Sequence, residues 1–375
     1  MTKEVIQCKR CIMDNNNDPD LVIDDKGICN HCHNYDRALN KIPKGKEADI
    51  HFINTIEKIK QEGIGKKYDA VLGISGGVDS TYLAYLAKQH NLRLLLTHCD
   101  NGWDSELAVN NINNLVEVTG YDYVANVLDW EEFRDIQLSF FKAGVVDLDL
   151  PYDYALIVTT HMAAVKHNIK YVLTGHNIVT EGTYLPKSWR YDKHDIVNIK
   201  AIHKRFGLKP MRKFPYYSLL KQHFVDKKLT YIQLLNYTSY NKDEVKKLII
   251  DKLGWRDYGG KHYESVFTRF YQGYILKEKF GIDKRQFHLS TLIHSGQLTR
   301  EEALREYALP AYNPSQLEED KLYVIKKLGF TTDSFDAYMK APIKKHTDYP
   351  TIQGYWNIYF KIIGYLKPLK KIIGR

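Results

Sequence analysis

The sequence predicts an α/β protein: a parallel sheet with a short cysteine-rich module before it and a mostly helical region after it. Three observations carry that expectation. Strand-like apolar runs alternate with helical stretches from Asp69 to Thr174, four cysteines fall in two CxxC pairs before residue 40, and strand-like runs fade beyond about residue 205. Such alternation is the pattern of βαβ units, whose parallel strands are joined through helices. With 375 residues, 44% of them hydrophobic and 26% charged, the chain can bury at least one sizeable core and is long enough for several units. The expected divisions are 1–40, 41–220 and 221–375.

The first unit is turn-rich and too small to bury enough apolar area without help from a metal. Cys8-Lys9-Arg10-Cys11 and Cys29-Asn30-His31-Cys32 bracket a spacer of 17 residues. Two such knuckles set four thiolates about one point, the arrangement of a closed structural zinc site with Cys8, Cys11, Cys29 and Cys32 as ligands. An iron–sulfur cluster is the rival for four cysteines, but short paired knuckles with a ribbon-length spacer suit zinc better. His31 and His33 fall to the surface or to the surroundings of the metal. Five cysteines, four of them so paired, indicate a reducing compartment rather than a disulfide framework. Met1 to Cys11 carries charges in place of the apolar run of a secretory signal, and no stretch reaches the roughly 18 apolar residues of a membrane span. A cytoplasmic location is therefore expected. The net charge of +9 suits RNA, a nucleotide or an anionic sugar equally.

In the second unit the expected order is strand Ala70–Ile74, helix Thr81–Gln89, strand Leu92–Thr97, helix Ala108–Thr119, strand Tyr121–Val127, helix Tyr154–Lys166 and strand Tyr171–Thr174. The first strand runs into Ser75-Gly76-Gly77-Val78-Asp79-Ser80, and a helix follows directly. A strand, a glycine turn and a helix start are what phosphate capture needs. Glycines let the backbone approach, the helix start offers free N–H groups and the positive end of its dipole, and the hydroxyls of Ser75 and Ser80 add donors. Neither the Walker lysine pattern nor G-x-G-x-x-G is present here.

A second cluster, Gly175-His176-Asn177-Ile178-Val179-Thr180-Glu181, follows strand Tyr171–Thr174, where the ligand crevice of an open α/β sheet lies. Glu181, His176 and Asn177 are its polar candidates for a site there. Each residue also has an ordinary use as a turn former or cap. The segment Thr97-His98-Cys99-Asp100-Asn101-Gly102-Trp103 ends an earlier strand and forms a third approach to the crevice; Cys99 in it is expected to be a small hydrophobe.

In the third unit, Asn241 with Glu244, Thr299 with Glu302 and Ser315 with Glu318 have capping-box spacing or a close variant, and Gly254 and Gly329 stand where helices stop. The stretch from Gly254 to Arg285 mixes aromatics with Lys, Arg and His. Lys261, His262, Arg269, Lys284 and Arg285 are candidates for binding phosphate or an anionic sugar through stacking and bidentate hydrogen bonds, although a charged helix surface over an aromatic core looks the same in sequence. The tail from Tyr355 to Ile373 is aromatic, apolar and basic, a composition shared by interfacial membrane segments and by helices packed on their own domain; Gly364 and Pro368 would interrupt a long one.

Ser75–Ser80 matches the SGGxDS signature at every fixed position and resembles the PP-loop, or N-type ATP pyrophosphatase, superfamily. That resemblance implies an adenine nucleotide alpha-hydrolase-like domain that splits ATP into AMP and pyrophosphate, with Asp79 helping to hold Mg²⁺. Ser75, Gly76, Gly77, Val78, Asp79, Ser80, Gly175 and Asn177 would contact the nucleotide, with His176 or Asn177 on a phosphate; Asp79, Glu181 and His176 would serve the chemistry, Glu181 as a second Mg²⁺ ligand. Taken with the CxxC pairs and the stretch Gly254 to Glu302, the order is similar to the N-acetyl sugar amidotransferase family of bacterial surface-polysaccharide and lipopolysaccharide pathways. The implied reaction converts the acetamido group of a free or nucleotide-linked amino sugar into an acetamidino group through an adenylated oxygen, with ATP, Mg²⁺ and Zn²⁺ required. Once four cysteines are assigned to metal, only Cys99 remains, outside any glutaminase motif, so ammonia is expected from a separate glutaminase subunit. The competing enzyme class is a PP-loop tRNA thiolation enzyme, disfavoured because the 276 residues after Cys99 contain no cysteine to carry sulfur. A non-enzymatic zinc-ribbon scaffold would leave the complete loop unexplained.

Overall fold

Five strands between Ala70 and Ile232 form one parallel sheet: β1 (Ala70–Gly73), β2 (Leu94–Asp100), β3 (Asp122–Val127), β4 (Tyr171–Leu173) and β5 (Thr230–Ile232), in the order β3-β2-β1-β4-β5. The structure, a computed structural model, describes residues 4–182, 185–260 and 263–355. The register sets Leu72 beside Leu96 on β2 and Leu173 on β4. Strand side chains alternate between faces. Leu72, Leu96 and Leu173 accordingly enter one core, while Val71, Leu95 and Val172 enter the other. Both faces are covered by helices, and that is why these strands read as continuous apolar runs rather than alternating ones.

All four expected strands and the three helices between them are present, with shifted ends. The helix after β1 runs Val78–Gln89, so it begins inside the loop motif and holds Asp79 and Ser80 in its first turn. The helix expected from Tyr154 starts at Leu150, with Pro151 in its first turn, where a missing N–H costs nothing. Strand β5 was not anticipated. It is three residues long, at the sheet edge, and only partly buried, so it lacks the apolar run that marks the others. It lies beyond residue 220, so the sheet extends into the stretch expected to be mostly helical.

The C-terminal region is otherwise helical. Asn241 caps Lys242–Leu253, Thr299 and Glu302 form a capping box on Arg300–Ala308, and Gly254 and Gly329 end helices with φ of 62° and 83°. Ser315 is not a cap: Asn313 accepts from the Ser315 and Gln316 amides, and Pro314 opens the helix, because proline suits the first helical position. Lys327 locks this helix to the loop after β2. Its ammonium stands 4.6 Å from the Trp103 ring, 4.8 Å from Trp130 and 5.2 Å from Tyr323, and it donates to the Gly102 carbonyl. Lys327→Ala is expected to cost about 1–2 kcal/mol, measurable as a lower urea midpoint at unchanged slope.

The cysteine module is not a separate body. Its backbone and side chains grip the helix Lys284–His294: the Ile12 amide donates to Ser290 Oγ at 3.3 Å, and Asn17 Nδ2 donates to the Asp283 carbonyl and Gln286 Oε1, each at 2.9 Å. Arg300 reaches back to the carbonyls of Cys11 and Cys8 at 3.2 and 3.3 Å. His31 is buried against Asp18, and His33 pairs with Asp24 at the surface.

Candidate active site

The loop Ser75–Ser80 leaves the carboxyl end of β1, and the segment Gly175–Glu181 leaves the adjacent end of β4. Since β2 and β4 flank β1 on opposite sides, the two segments meet at the point where connections diverge, the usual crevice of such sheets. Glycine is required at two positions. Gly76 has φ of 76°, and a Cβ there would stand 2.6 Å from the Ala108 carbonyl; one on Gly175 would stand 3.0 Å from the Ser80 amide. The loop is also braced from the C-terminal region, where Trp255 Nε1 donates to the Gly76 carbonyl at 2.9 Å.

Asp79 sits at the centre of this junction. Its Oδ1 accepts from Asn177 Nδ2 at 3.3 Å and from the Tyr240 hydroxyl. Burial, and then the charge of Asp79, push the Tyr240 hydroxyl well above its ordinary range, so it stays a neutral donor. Asn177 is fully buried and caps the short helix Ile178–Glu181 through the Thr180 amide at 2.9 Å. It therefore positions Asp79 rather than facing the crevice as a phosphate contact. His176 and Glu181 do face it, with Nδ1 2.5 Å from Glu181 Oε2.

These groups open on a cavity of about 880 Å³ lined by Ser75, Gly77, Val78, Asp79 and Ser80 at one end. Two carboxylates, Asp79 and Glu181, supply the hard oxygen donors that Mg²⁺ prefers. Lys242 and Lys246 add positive charge to the lining; sequence reading missed both, because they lie on an ordinary charged helix. The loop after β2 contributes Asp104 alone. Trp103 is buried in the core, and Cys99 is buried with its thiol pushed up to about 12 by that burial. Asp104 is fixed by His98, whose Nε2 lies 2.8 Å from it and whose Nδ1 lies 2.8 Å from the Ile74 carbonyl. Burial opposes the imidazolium, but Asp104 outweighs it and holds His98 above its ordinary range.

Away from the loop the lining becomes densely charged. Lys193 bridges Asp147 at 2.7 Å and Asp153 at 2.6 Å, and Asp149, Arg190, Thr268, Gln272, Lys284 and His288 join them. Thr268 and Gln272 come from a helix that opens into one π turn, Tyr271–Ile275, a local widening often found at functional sites. Of the basic candidates, Lys284 lines the cavity. Arg269 does not: it forms a fork with Asp320 at 2.7 and 2.9 Å, the two side chains 12% and 6% exposed. Arg285 closes on Asp283 at 2.7 Å and on the Leu309 carbonyl at 2.8 Å. Both forks are satisfied within the fold, which removes them from the cavity lining. Lys261, His262 and most of the tail lie outside the described residues. Arg269→Ala is expected to cost about 3–5 kcal/mol by stranding buried Asp320, with a lowered thermal midpoint and an unchanged KM in the folded fraction.

The four cysteines of the N-terminal module converge, with sulfur atoms 3.6–3.7 Å apart along Cys8–Cys32, Cys11–Cys29 and Cys29–Cys32. A tetrahedron with bonds of about 2.3 Å to zinc has edges of about 3.8 Å, so the donor set fits. His294 places Nε2 3.1 Å from Cys32, a contact from the helix that the module grips.

Residues 264–363 match the family described as LPS biosynthesis protein WbpG-like, C-terminal domain. This part of the chain is similar to that family. The WbpG-like segment supplies Glu264, Thr268, Gln272, Lys284 and His288 to the cavity, and its beginning is tied to the loop after β2, with the Ser105 amide on the Glu264 carbonyl at 2.8 Å and the Val266 amide on that of Trp103 at 2.9 Å. No curated protein matches the chain in sequence. Among solved structures it is similar to an NH3-dependent NAD synthetase from Campylobacter jejuni, at 16% identity and a TM-score of 0.29 over 55% of this chain and 93% of that one. It is also similar to a predicted subunit of tRNA methyltransferase from Methanocaldococcus jannaschii, at 13% identity and a TM-score of 0.27 over 48% and 74%. Among the described residues no helix is long and apolar enough to cross a membrane.

Proposed function

We propose that the chain is an ATP-dependent amidotransferase that converts the acetamido group of an amino sugar into an acetamidino group, releasing AMP and pyrophosphate. The observation that carries this reading is the joining of a phosphate-binding loop to a charged lobe to which the WbpG-like segment contributes Thr268, Gln272, Lys284 and His288, in one cavity of about 880 Å³. An amide carbonyl is a poor electrophile and its oxygen a poor leaving group. ATP would adenylate that oxygen, and ammonia would then displace AMP.

On this reading the loop amides and the Ser75 and Ser80 hydroxyls bind the pyrophosphate, and Lys242 and Lys246 stabilise its charge as it develops. Mg²⁺ held by Asp79 and Glu181 would supply further neutralisation of that charge. Asn177 and Tyr240 orient Asp79, and His176 orients Glu181. Ammonia would come from a separate glutaminase, since Cys99, the one cysteine outside the zinc set, is buried as an unreactive thiol. The reading also places the enzyme in the cytoplasm, where its thiolates stay reduced.

The purified chain, given ATP, Mg²⁺, ammonium and a panel of free and nucleotide-linked N-acetylated sugars, is expected to form AMP and a sugar in which one oxygen has become NH, in equal amounts by mass spectrometry. Glutamine is not expected to replace ammonium. AMP formed only on adding tRNA would overturn the sugar reading in favour of RNA modification.

A further inference from the structure

One carboxyl in the charged lobe has no ion-pair partner among the described residues. Asp149 is 7% exposed and lines the cavity, and its side chain accepts one long hydrogen bond, 3.4 Å from the Thr268 hydroxyl. It holds the N-cap position of helix Leu150–Lys166, where an aspartate ordinarily accepts from an amide two or three residues on. Here the side chain makes no capping bond. Its neighbours differ: Asp147 and Asp153 are both neutralised by Lys193. Lys284 likewise has no ion pair or hydrogen bond among the described residues, its ammonium lying 6.0 Å from the Tyr271 ring.

Thr268 fixes where this carboxyl stands relative to the loop. Glu264 lies near Gly77, 3.8 Å from where a Cβ would be. Thr268 follows in the same segment, in the first turn of the helix Val266–Phe270, and also lines the cavity. Asp149 therefore faces the same cavity as the loop, at the end of a segment that begins beside Gly77.

We propose that Asp149 is the general base of the second half-reaction, taking a proton from ammonia as it adds to the adenylated carbon. This rests on the amidotransferase reading. The ammonia lone pair forms the new C–N bond, the C=N electrons move to the sugar nitrogen, and one N–H proton passes to an Asp149 oxygen. The C–O bond then breaks with its electron pair, AMP leaves, and the amidine C=N bond forms. Burial and then the charge of Asp153 push the Asp149 carboxyl up to about 7, with Lys193 and Lys284 acting against that rise and Asp147 adding to it; Tyr271, itself raised by burial, faces it as a neutral phenol. A base near neutrality is effective at the operating pH. At constant free ammonia the rate should rise with pH to about 7 and level off, because only the ionised carboxyl accepts a proton.

The test compares wild type, Asp149→Asn and Asp149→Glu. Adenylate formation is followed without ammonia by positional isotope exchange in ATP, and turnover is followed with ammonia. Asp149→Asn is expected to lower ammonia-dependent turnover by about 10²–10⁴-fold, to lower isotope exchange far less, and to lose the rise toward pH 7. Asp149→Glu should recover part of the turnover, and hydroxylamine, whose adduct sheds its proton more readily, should rescue Asp149→Asn. Equal loss of both half-reactions, or turnover like wild type, would overturn the base assignment alone. A wild type without isotope exchange on any N-acetylated sugar would instead overturn the amidotransferase reading, and the base with it.

Discussion

Asp79→Asn is expected to lower AMP formation by about 10²–10³-fold, the loss typical when one electrostatic contact to a developing charge is removed. The substitution keeps the shape of the side chain and its Oδ1, so the Tyr240 hydroxyl retains an acceptor. The negative charge is what disappears. With it goes a hard anionic ligand for Mg²⁺ beside the leaving pyrophosphate. The fold should be nearly unaffected, with a thermal midpoint close to wild type, because the amide oxygen still accepts from Tyr240 and Asn177. Tyr240→Phe should cost less, since it removes one orienting bond and leaves the charge. Steady-state AMP assays, with circular dichroism as the folding control, would check both. An Asp79→Asn enzyme at wild-type rate would remove Asp79 from the chemistry.

Loss of zinc is expected to be the largest structural effect. The four thiols are packed so closely that neighbouring sulfurs hold Cys8 well below the ordinary thiol range, with Cys29 drawn down to about 7, while the same contacts drive Cys11 and Cys32 up. Without a cation the four cannot all be thiolates; zinc makes them so, and its binding energy becomes folding energy, about 10–16 kcal/mol in small zinc modules. Cys11→Ser or prolonged chelation should therefore unfold the module. The damage should spread to the cavity, because Ile12, Asn17 and Arg300 connect the module to the helix carrying Lys284 and His288. The expected readout is one zinc released per chain, a lowered thermal midpoint and a raised KM for the sugar, with ATP binding affected less. Full sugar affinity in metal-free protein would contradict this bracing role.

The sheet was legible because its strands are buried on both faces and so read as apolar runs, and the phosphate loop because its glycines and hydroxyls are consecutive in sequence. Strand β5 was not legible, being short and at an edge. The convergence of the four cysteines was legible from spacing alone. That the module would clamp a helix more than 250 residues away was not, since the contacts run through Ile12, Asn17 and Ser290, residue types with no distinctive pattern. The basic candidates divide for the same reason. Arg269, Lys284 and Arg285 look alike in sequence, and only the positions of Asp320 and Asp283 show that the two arginines are satisfied internally while Lys284 is not. Asn177 was read as a ligand contact from its neighbours in the chain, and its burial beneath Asp79 depends on β1 and β4 being adjacent.

Transfer of oxygen from the substrate amide into AMP tests the adenylation mechanism most directly. An N-acetylated sugar labelled with ¹⁸O in its acetamido carbonyl, turned over with ATP, Mg²⁺ and ammonium, is predicted to yield AMP carrying one ¹⁸O on its phosphate and a sugar without the label. AMP free of label, or ADP and phosphate in place of AMP and pyrophosphate, would contradict activation of the amide oxygen at this loop.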